Sequence, residues 1–269
     1  MIARAVCAVI QRELTRTLRQ RGRLLSALVR PLMWLLVIGS GVQSVVAHNY
    51  SAGYHAFLVP GLIAMSLLFG AMLAALSLVH DKESGVMCLL LVAPFHHAWI
   101  VIARTLSAAT VAVMQATLLT LVLAACGYLG GGTCIPTLIL GLVLTALAAA
   151  SLGMLLAVYV QSLENFAVMM NFVIFPVFFL SGALYPVANL PSWLGLVTTI
   201  NPFSYGVDLL KHASDRAATA PFTPDFSLGL DIGVLIGFTV LATTLAAVRF
   251  SNHSTIAVLA RLVSGGKNL

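Results

Sequence analysis

Six stretches of this chain are nearly free of charged side chains, and each is long enough to cross a lipid bilayer: about 25–46, 57–79, 105–129, 135–158, 166–184 and 230–248. A helix rises about 1.5 Å per residue, so roughly 20 apolar residues cover the hydrocarbon of a membrane. Of the 269 residues 60% are hydrophobic and only 8% are charged, with a mean hydropathy of +1.03. A soluble domain carries about 25% charged residues. That much apolar surface has no place in a water-soluble core of this size, which excludes an oily soluble bundle. Proline and glycine inside the stretches do not disqualify them, because neighbouring helices cover the freed backbone. The expectation is an all-α polytopic membrane protein with six transmembrane helices.

The charges set the orientation. Seven of the fourteen basic residues precede residue 31: Arg4, Arg12, Arg16, Arg19, Arg21, Arg23 and Arg30. With the N-terminus inside, twelve Lys and Arg fall in cytoplasmic segments, and Lys211 and Arg216 fall outside. This follows the positive-inside rule and puts both termini in the cytoplasm. The formal charge of +6 therefore speaks of topology rather than nucleic acid. Residues 2–22 read as a basic amphipathic helix lying in the interface, with Val6, Val9, Ile10 and Leu14 on one side and Arg12, Arg19 and Gln20 on another. No short core with a small-residue cleavage site follows it, so it is not a standard signal peptide. One transmembrane domain is expected over 1–269, made of an interface segment 1–24, a six-span bundle 25–250 and a cytoplasmic tail 251–269.

Residues 79–104 form the main cytoplasmic connection and read as two short helices, hinged near Gly85 and broken at Pro94. The segment offers either a docking surface for a soluble partner or a solvated loop. Residues 159–165 make a tight hairpin in which Glu164 caps a helix, receives a partner's charge, or is merely solvated. His96 and His97 are adjacent and point apart on a helix, so they make a poor metal pair. Cys126 and Cys134 flank a short outer loop. A disulfide fits there, but no CxxC or metal spacing is present, and isolated thiols are the plain reading.

The segment after the fifth stretch is neither a clean span nor an ordinary loop. It is mostly apolar and is cut by Pro186, Pro191 and Pro202, with no charge before Asp208. Pro191 suits the start of a short helix, Asn201-Pro202 stops it, and a second short helix follows from Phe203. Two such helices can dip into the outer leaflet and return, a re-entrant-like arrangement, with Trp193 and Tyr205 as interfacial anchors.

Here the residues become specific. The run Phe175-Pro176-Val177-Phe178-Phe179-Leu180-Ser181-Gly182-Ala183 is followed by Pro186, Asn189-Leu190-Pro191, Asn201-Pro202-Phe203-Ser204-Tyr205 and Val207-Asp208. This order resembles the signature of the ABC-2 family of ATP-binding-cassette permeases, the membrane subunits of bacterial exporters for drugs, lipo-oligosaccharides and polysaccharides. The basic start resembles that family's interface helix. Asp81-Lys82-Glu83-Ser84-Gly85 with Leu89-Leu90-Leu91-Val92-Ala93-Pro94 and Arg104 resembles its first cytoplasmic loop. The resemblance implies a permease in the bacterial inner membrane. Two copies would form the transporter, and two copies of a separate cytoplasmic ATPase would bind ATP and Mg. This chain has no GxxxxGK[ST] phosphate loop, so no ATP hydrolysis, catalytic residue, cofactor or metal is expected in it. The resemblance also suggests roles for residues. Arg12, Arg16, Asp81, Glu83, Gly85, Pro94 and Glu164 are candidates for coupling to the ATPase. Pro186, Pro191, Trp193, Asn201, Pro202, Tyr205 and Asp208 are candidates for an outer gate. Phe175, Phe178, Phe179 and Ser181 are candidates for the substrate path, although aromatic rings also face lipid and small residues also let helices pack.

Two other classes compete. An ion-coupled secondary transporter needs ionisable groups at mid-membrane depth. Arg30, Arg104, Glu164, Asp231 and Arg249 all read as lying near span ends. A membrane enzyme needs a catalytic cluster, and Asp208, His212, Asp215 and Asp225 share no convincing spacing. The apolar character of the third and fourth stretches favours a hydrophobic or amphipathic cargo.

Overall fold

In a computed structural model the chain is all-helical over its described residues, which are 2–41, 54–85, 97–129, 132–185, 187, 191–214 and 223–265. Helix α1 spans Ile2–Arg19 and α2 spans Arg21–Trp34, continued by a π-helical turn at Leu35–Gly39. Then come α3 (Tyr54–Glu83), α4 (His97–Ala125), α5 (Ile135–Tyr159) and α6 (Leu163–Phe179). Two short helices follow, α7 (Ser192–Ile200) and α8 (Pro202–His212), before the long α9 (Leu228–Gly265).

Four helices, not six, are long and apolar enough to cross a membrane among the described residues. They are the stretches Phe57–Glu83, Ala98–Ala125, Ile135–Tyr159 and Leu228–Ser251. The first expected span shrinks to the apolar helix Ala27–Gly39, because the basic residues of 21–23 extend into α2 and residues 42–46 lie outside the described set. The fifth shrinks to the 17 residues of α6. Ser162 caps its start by accepting from the Asn165 N–H at 3.3 Å. Its end tightens after Pro176, where Ser181 turns both its N–H and its hydroxyl onto the Phe178 carbonyl. At about 1.5 Å per residue α6 covers about 26 Å, short of the hydrocarbon thickness.

The re-entrant pair is also corrected. Both short helices exist, but they do not pair as two limbs of a loop. Residues Phe203–Lys211 of α8 are buried, and this helix packs on α5, α9 and α3. Helix α7 instead turns Trp193, Leu196 and Ile200 outward. Close packing of α8 requires Gly206. A Cβ there would sit 2.7 Å from the Thr145 methyl of α5, and the Thr145 hydroxyl donates to the Gly206 carbonyl at 3.3 Å.

Helix α3 is the axis of the bundle, with 78% of its membrane window buried, whereas α9 buries only 22% of its own. Two further readings shift. Gly85, with φ of 76°, lies just beyond the end of α3. Residues 86–96, including Leu89–Val92 and Pro94, lie outside the described set, and helix resumes at His97. Arg104 therefore belongs to α4 rather than to a connecting loop. The Arg30 guanidinium stacks 4.0 Å from the ring centroid of Phe69, halfway along α3. Cys126 and Cys134 are free thiols.

Candidate functional site

At one end of the bundle a buried ionic knot ties three helices. Arg104 of α4 is only 4% exposed. Its guanidinium reaches Glu13 of α1 at 3.2 Å, Ser77 of α3 at 3.3 Å, and Asp81 of α3 in a short charged hydrogen bond. Glu13 and Asp81 are buried as well. Arg12, half-exposed, adds contacts to Glu13 at 3.1 Å and to Asp81 at 3.6 Å. Two carboxylates out of water need this cation, because a buried charge left without its partner costs about 3–5 kcal/mol. The sequence places them at helical spacing: Ser77 and Asp81 lie one turn apart on α3, facing α4.

The next two residues of α3 tie the other side of the bundle. The Lys82 ammonium donates to the carbonyls of Ala157 and Val158 at 2.8 Å and of Val160 at 3.4 Å, which finishes the end of α5. Orphan carbonyls and the negative end of a helix dipole favour a cation there. Glu83 accepts from the Leu163 N–H at 3.3 Å, at the start of α6, where the dipole favours an anion. Asp81-Lys82-Glu83 thus joins α3 to α1, α4, α5 and α6 in three consecutive residues.

Of the expected coupling residues, Arg12, Asp81 and Glu83 come together here. Arg16 stays on the surface of α1, lining a shallow groove with Gln11, Arg12, Thr15 and Arg19. Glu164 is exposed in the first turn of α6. Gly85 is exposed beyond α3, and Pro94 lies outside the described residues. The sequence reading passed over Glu13, Lys82 and Ser77. The signal for Glu13 was present, since it is the sole acid among the first 24 residues.

The other end is a latch. Asn201 caps α8 by accepting from the Phe203 N–H at 3.1 Å, and its amide donates to the Val177 carbonyl of α6 at 2.7 Å. Pro202 follows at the first helical turn, where no N–H is needed. The Tyr205 hydroxyl reaches back to the Thr199 carbonyl at 2.8 Å, and its ring lies 4.6 Å from that of Phe226. Asp208, 1% exposed, accepts from the N–H groups of Asp225 and Phe226 at 2.7 and 2.9 Å, fastening the chain before α9 onto α8. Lys211 pairs with Asp225 at 2.6 Å. His212 lies 3.1 Å from the Phe226 carbonyl and 3.5 Å from buried Asp231. Burial pushes the Asp208 carboxyl above its ordinary value, against the pull of those two backbone donors and of Lys211. Burial first, and the Asp231 charge second, raise the Tyr205 phenol. Asp208, His212 and Asp231 offer ligand-type atoms within 4.8 Å of one another, while the Lys211 ammonium, 3.9 Å from Asp208, supplies positive charge beside them.

Among the remaining outer residues, Pro191 and Trp193 are exposed and Pro186 lies outside the described set. On α6, Phe175 and Phe179 stack with ring centroids 6.2 Å apart and remain exposed. Phe178 is buried edge-on against Trp34, and Ser181 is buried in the turn after α6.

Comparison with known proteins places this architecture. The family model for ABC-2 type transporters matches residues 4–213. The chain is similar to Nodulation protein J of Rhizobium leguminosarum bv. trifolii, 30% identical over 190 residues that cover 70% of this chain and 72% of that protein. It is similar to the putative transport permease ycf38 of Porphyra purpurea, 25% identical over 78% of this chain and 74% of that one. It is also similar to the probable multidrug ABC transporter permease YbhR of Escherichia coli K12, 28% identical over 61% of this chain and 45% of the other. The knot ties the matched N-terminal helix to the bundle and the latch closes the matched signature, and on these grounds the chain belongs to the ABC-2 type transporter family, as a multi-pass membrane permease whose ATP hydrolysis belongs to another subunit.

Proposed function

We propose that this permease is half of an ATP-driven exporter for hydrophobic or amphipathic molecules. Two copies, embedded in lipid, form the path. Two cytoplasmic ATPase subunits, which bind ATP and Mg, dock at the end that carries α1 and the end of α3. The observation that carries this reading is the buried Glu13–Arg104–Asp81 knot, with Lys82 and Glu83 beside it.

Energy enters as a bias between two arrangements of the bundle, because the ATP-bound partner engages one of them better. Reversing a two-state population from 1:99 to 99:1 takes about 5.5 kcal/mol. Separating one partner from a buried ion pair costs about 3–5 kcal/mol, the same order. A push on α1 is therefore delivered to α3 and α4 instead of being lost in a local break. From α3 it passes to α5 and α6 through Lys82 and Glu83. At the far end α8 is pinned by Asn201 and Asp208, so the outer element that moves is α7, whose Trp193 face is free of the bundle. The exposed Phe175–Phe179 pair lines the cargo's route along α6.

The test is co-expression with a candidate ABC ATPase subunit, followed by reconstitution in lipid vesicles. The expected result is a stable complex that moves an amphipathic dye only with ATP. A permease that never binds an ATPase contradicts the reading.

A further inference from the structure

We propose that Asp208 and His212 of α8 and Asp231 of α9 form a binding site for a divalent transition cation of the zinc type, which staples α9 onto α8. The site lies at the latch, away from the ionic knot, and needs no part of the exporter reading.

Asp208 and His212 stand one turn apart on α8, so both side chains leave the helix on one face. Asp231 enters from the first turn of α9. The ligand-type atoms of the three lie within 4.8 Å of one another. The His212 Nε2 is 3.5 Å from the Asp231 Oδ2, 3.8 Å from the Asp208 Oδ2 and 3.1 Å from the Phe226 carbonyl oxygen. Ligands about 2.0–2.1 Å from a tetrahedral zinc stand about 3.3 Å from each other. The three separations bracket that edge, so a cation fits among these four atoms with small side-chain shifts.

Asp231 is the residue that points to a ligand. It is 0% exposed, and neither of its carboxylate oxygens receives a hydrogen bond among the described residues. A buried carboxylate ordinarily has hydrogen bonds, a close cation or a metal. Lys211 does not fill that place, since its ammonium pairs with Asp225 at 2.6 Å and stands 3.9 Å from Asp208. The carboxylates of Asp208, Asp225 and Asp231 with the one ammonium leave two negative charges beside a neutral His212. A divalent cation balances that charge.

The donor set selects the ion. An imidazole with carboxylates suits zinc and its first-row neighbours, whereas magnesium and calcium favour oxygen ligands throughout. Asp208 is already oriented, because it accepts from the N–H groups of Asp225 and Phe226 at 2.7 and 2.9 Å. Each of its oxygens keeps a lone pair for a metal. Outer hydrogen bonds of this kind hold a ligating carboxylate in place. The cation displaces the proton that Nε2 otherwise gives to the Phe226 carbonyl, and two facing acceptors become ligands of one ion. The chain at Phe226, α8 and α9 then meet at a single point.

The test is equilibrium dialysis of the full-length permease in detergent against Zn²⁺, with bound metal measured by atomic spectroscopy. The protein carries a tag without histidine and has its four cysteines changed to serine, so that exposed thiols such as Cys126 and Cys134 bind none of the metal. About one tightly bound Zn²⁺ per chain is expected, with affinity about tenfold or more weaker in Asp231→Asn and in His212→Gln. Zn²⁺ is also expected to raise the unfolding temperature of the parent and to leave that of Asp231→Asn unmoved. Absence of stoichiometric binding, or equal binding by the parent and Asp231→Asn, overturns the proposal. Displacement of Zn²⁺ by an equal concentration of Mg²⁺ overturns the assignment to a transition cation. Should Asp231→Asn fail to fold, His212→Gln decides the matter. Because neither ATP nor ATPase is present, a failure here is separate from a failure of the exporter reading.

Discussion

Arg104 holds α1, α3 and α4 with one side chain, so its loss should be felt far from α4. Arg104→Met leaves buried Glu13 and Asp81 with the half-exposed Arg12 as their remaining cation. Destabilisation by about 3–5 kcal/mol is expected, read as a lower unfolding temperature in detergent, with faster amide exchange in α1. Adding Glu13→Gln and Asp81→Asn removes the stranded charges and should restore most of that stability. Asp208 gives a pH prediction. Its folded-state value is raised, so folding favours the protonated carboxyl, and that contribution is whole below the ordinary carboxylate range. It fades as pH rises through the raised value. Asp208→Asn should therefore flatten the fall of thermal stability with rising pH above about 4, seen in melting curves at several pH values. A parallel fall in both proteins would assign the slope to other groups. At this scale the sequence showed Asp81, Glu83, Asn201 and Asp208 through their motifs. It hid Glu13 and its pairing with Arg104, because 91 residues separate partners that only the packing of α1 on α4 brings together.

The elements were legible where apolar length alone decides them. Four long apolar stretches became helices that can span, while α4 begins earlier than its apolar run because Trp99 to Arg104 continue the helix into the knot. The caps at Asn201 and Pro202 were also readable, since one side-chain acceptor and one missing N–H define that corner. Helix α6 was overestimated because hydropathy does not register the tight turn that Ser181 closes after Pro176. The two short helices were read as a re-entrant pair because their apolar character suits burial in protein as well as in lipid. Gly206 separates those options. Gly206→Ala should push α8 off α5 and cost about 1–3 kcal/mol, as expected for overpacking. Thr145→Ala in the same chain should recover part of the loss by removing the atoms 2.7 and 2.8 Å from the new methyl. A melting temperature unchanged by Gly206→Ala would contradict burial of α8 against α5.

For the whole molecule, the family was legible because its signature runs along the chain in fixed order, whereas the coupling path depends on which helix ends share one face of the bundle. Three consecutive residues at the end of α3 join four other helices there; on the coupling reading proposed above, a bundle tied in this way moves as a unit. Stability and transmission should therefore separate in one variant. The direct measurement is ATP hydrolysis and dye transport in the same vesicles, comparing wild type with Glu13→Gln/Asp81→Asn/Arg104→Met reconstituted with the ATPase. The expected result is a folded complex that still hydrolyses ATP while transport falls about tenfold or more. Transport at the wild-type rate, with the knot gone, would contradict the claim that the ATPase drives the bundle through it.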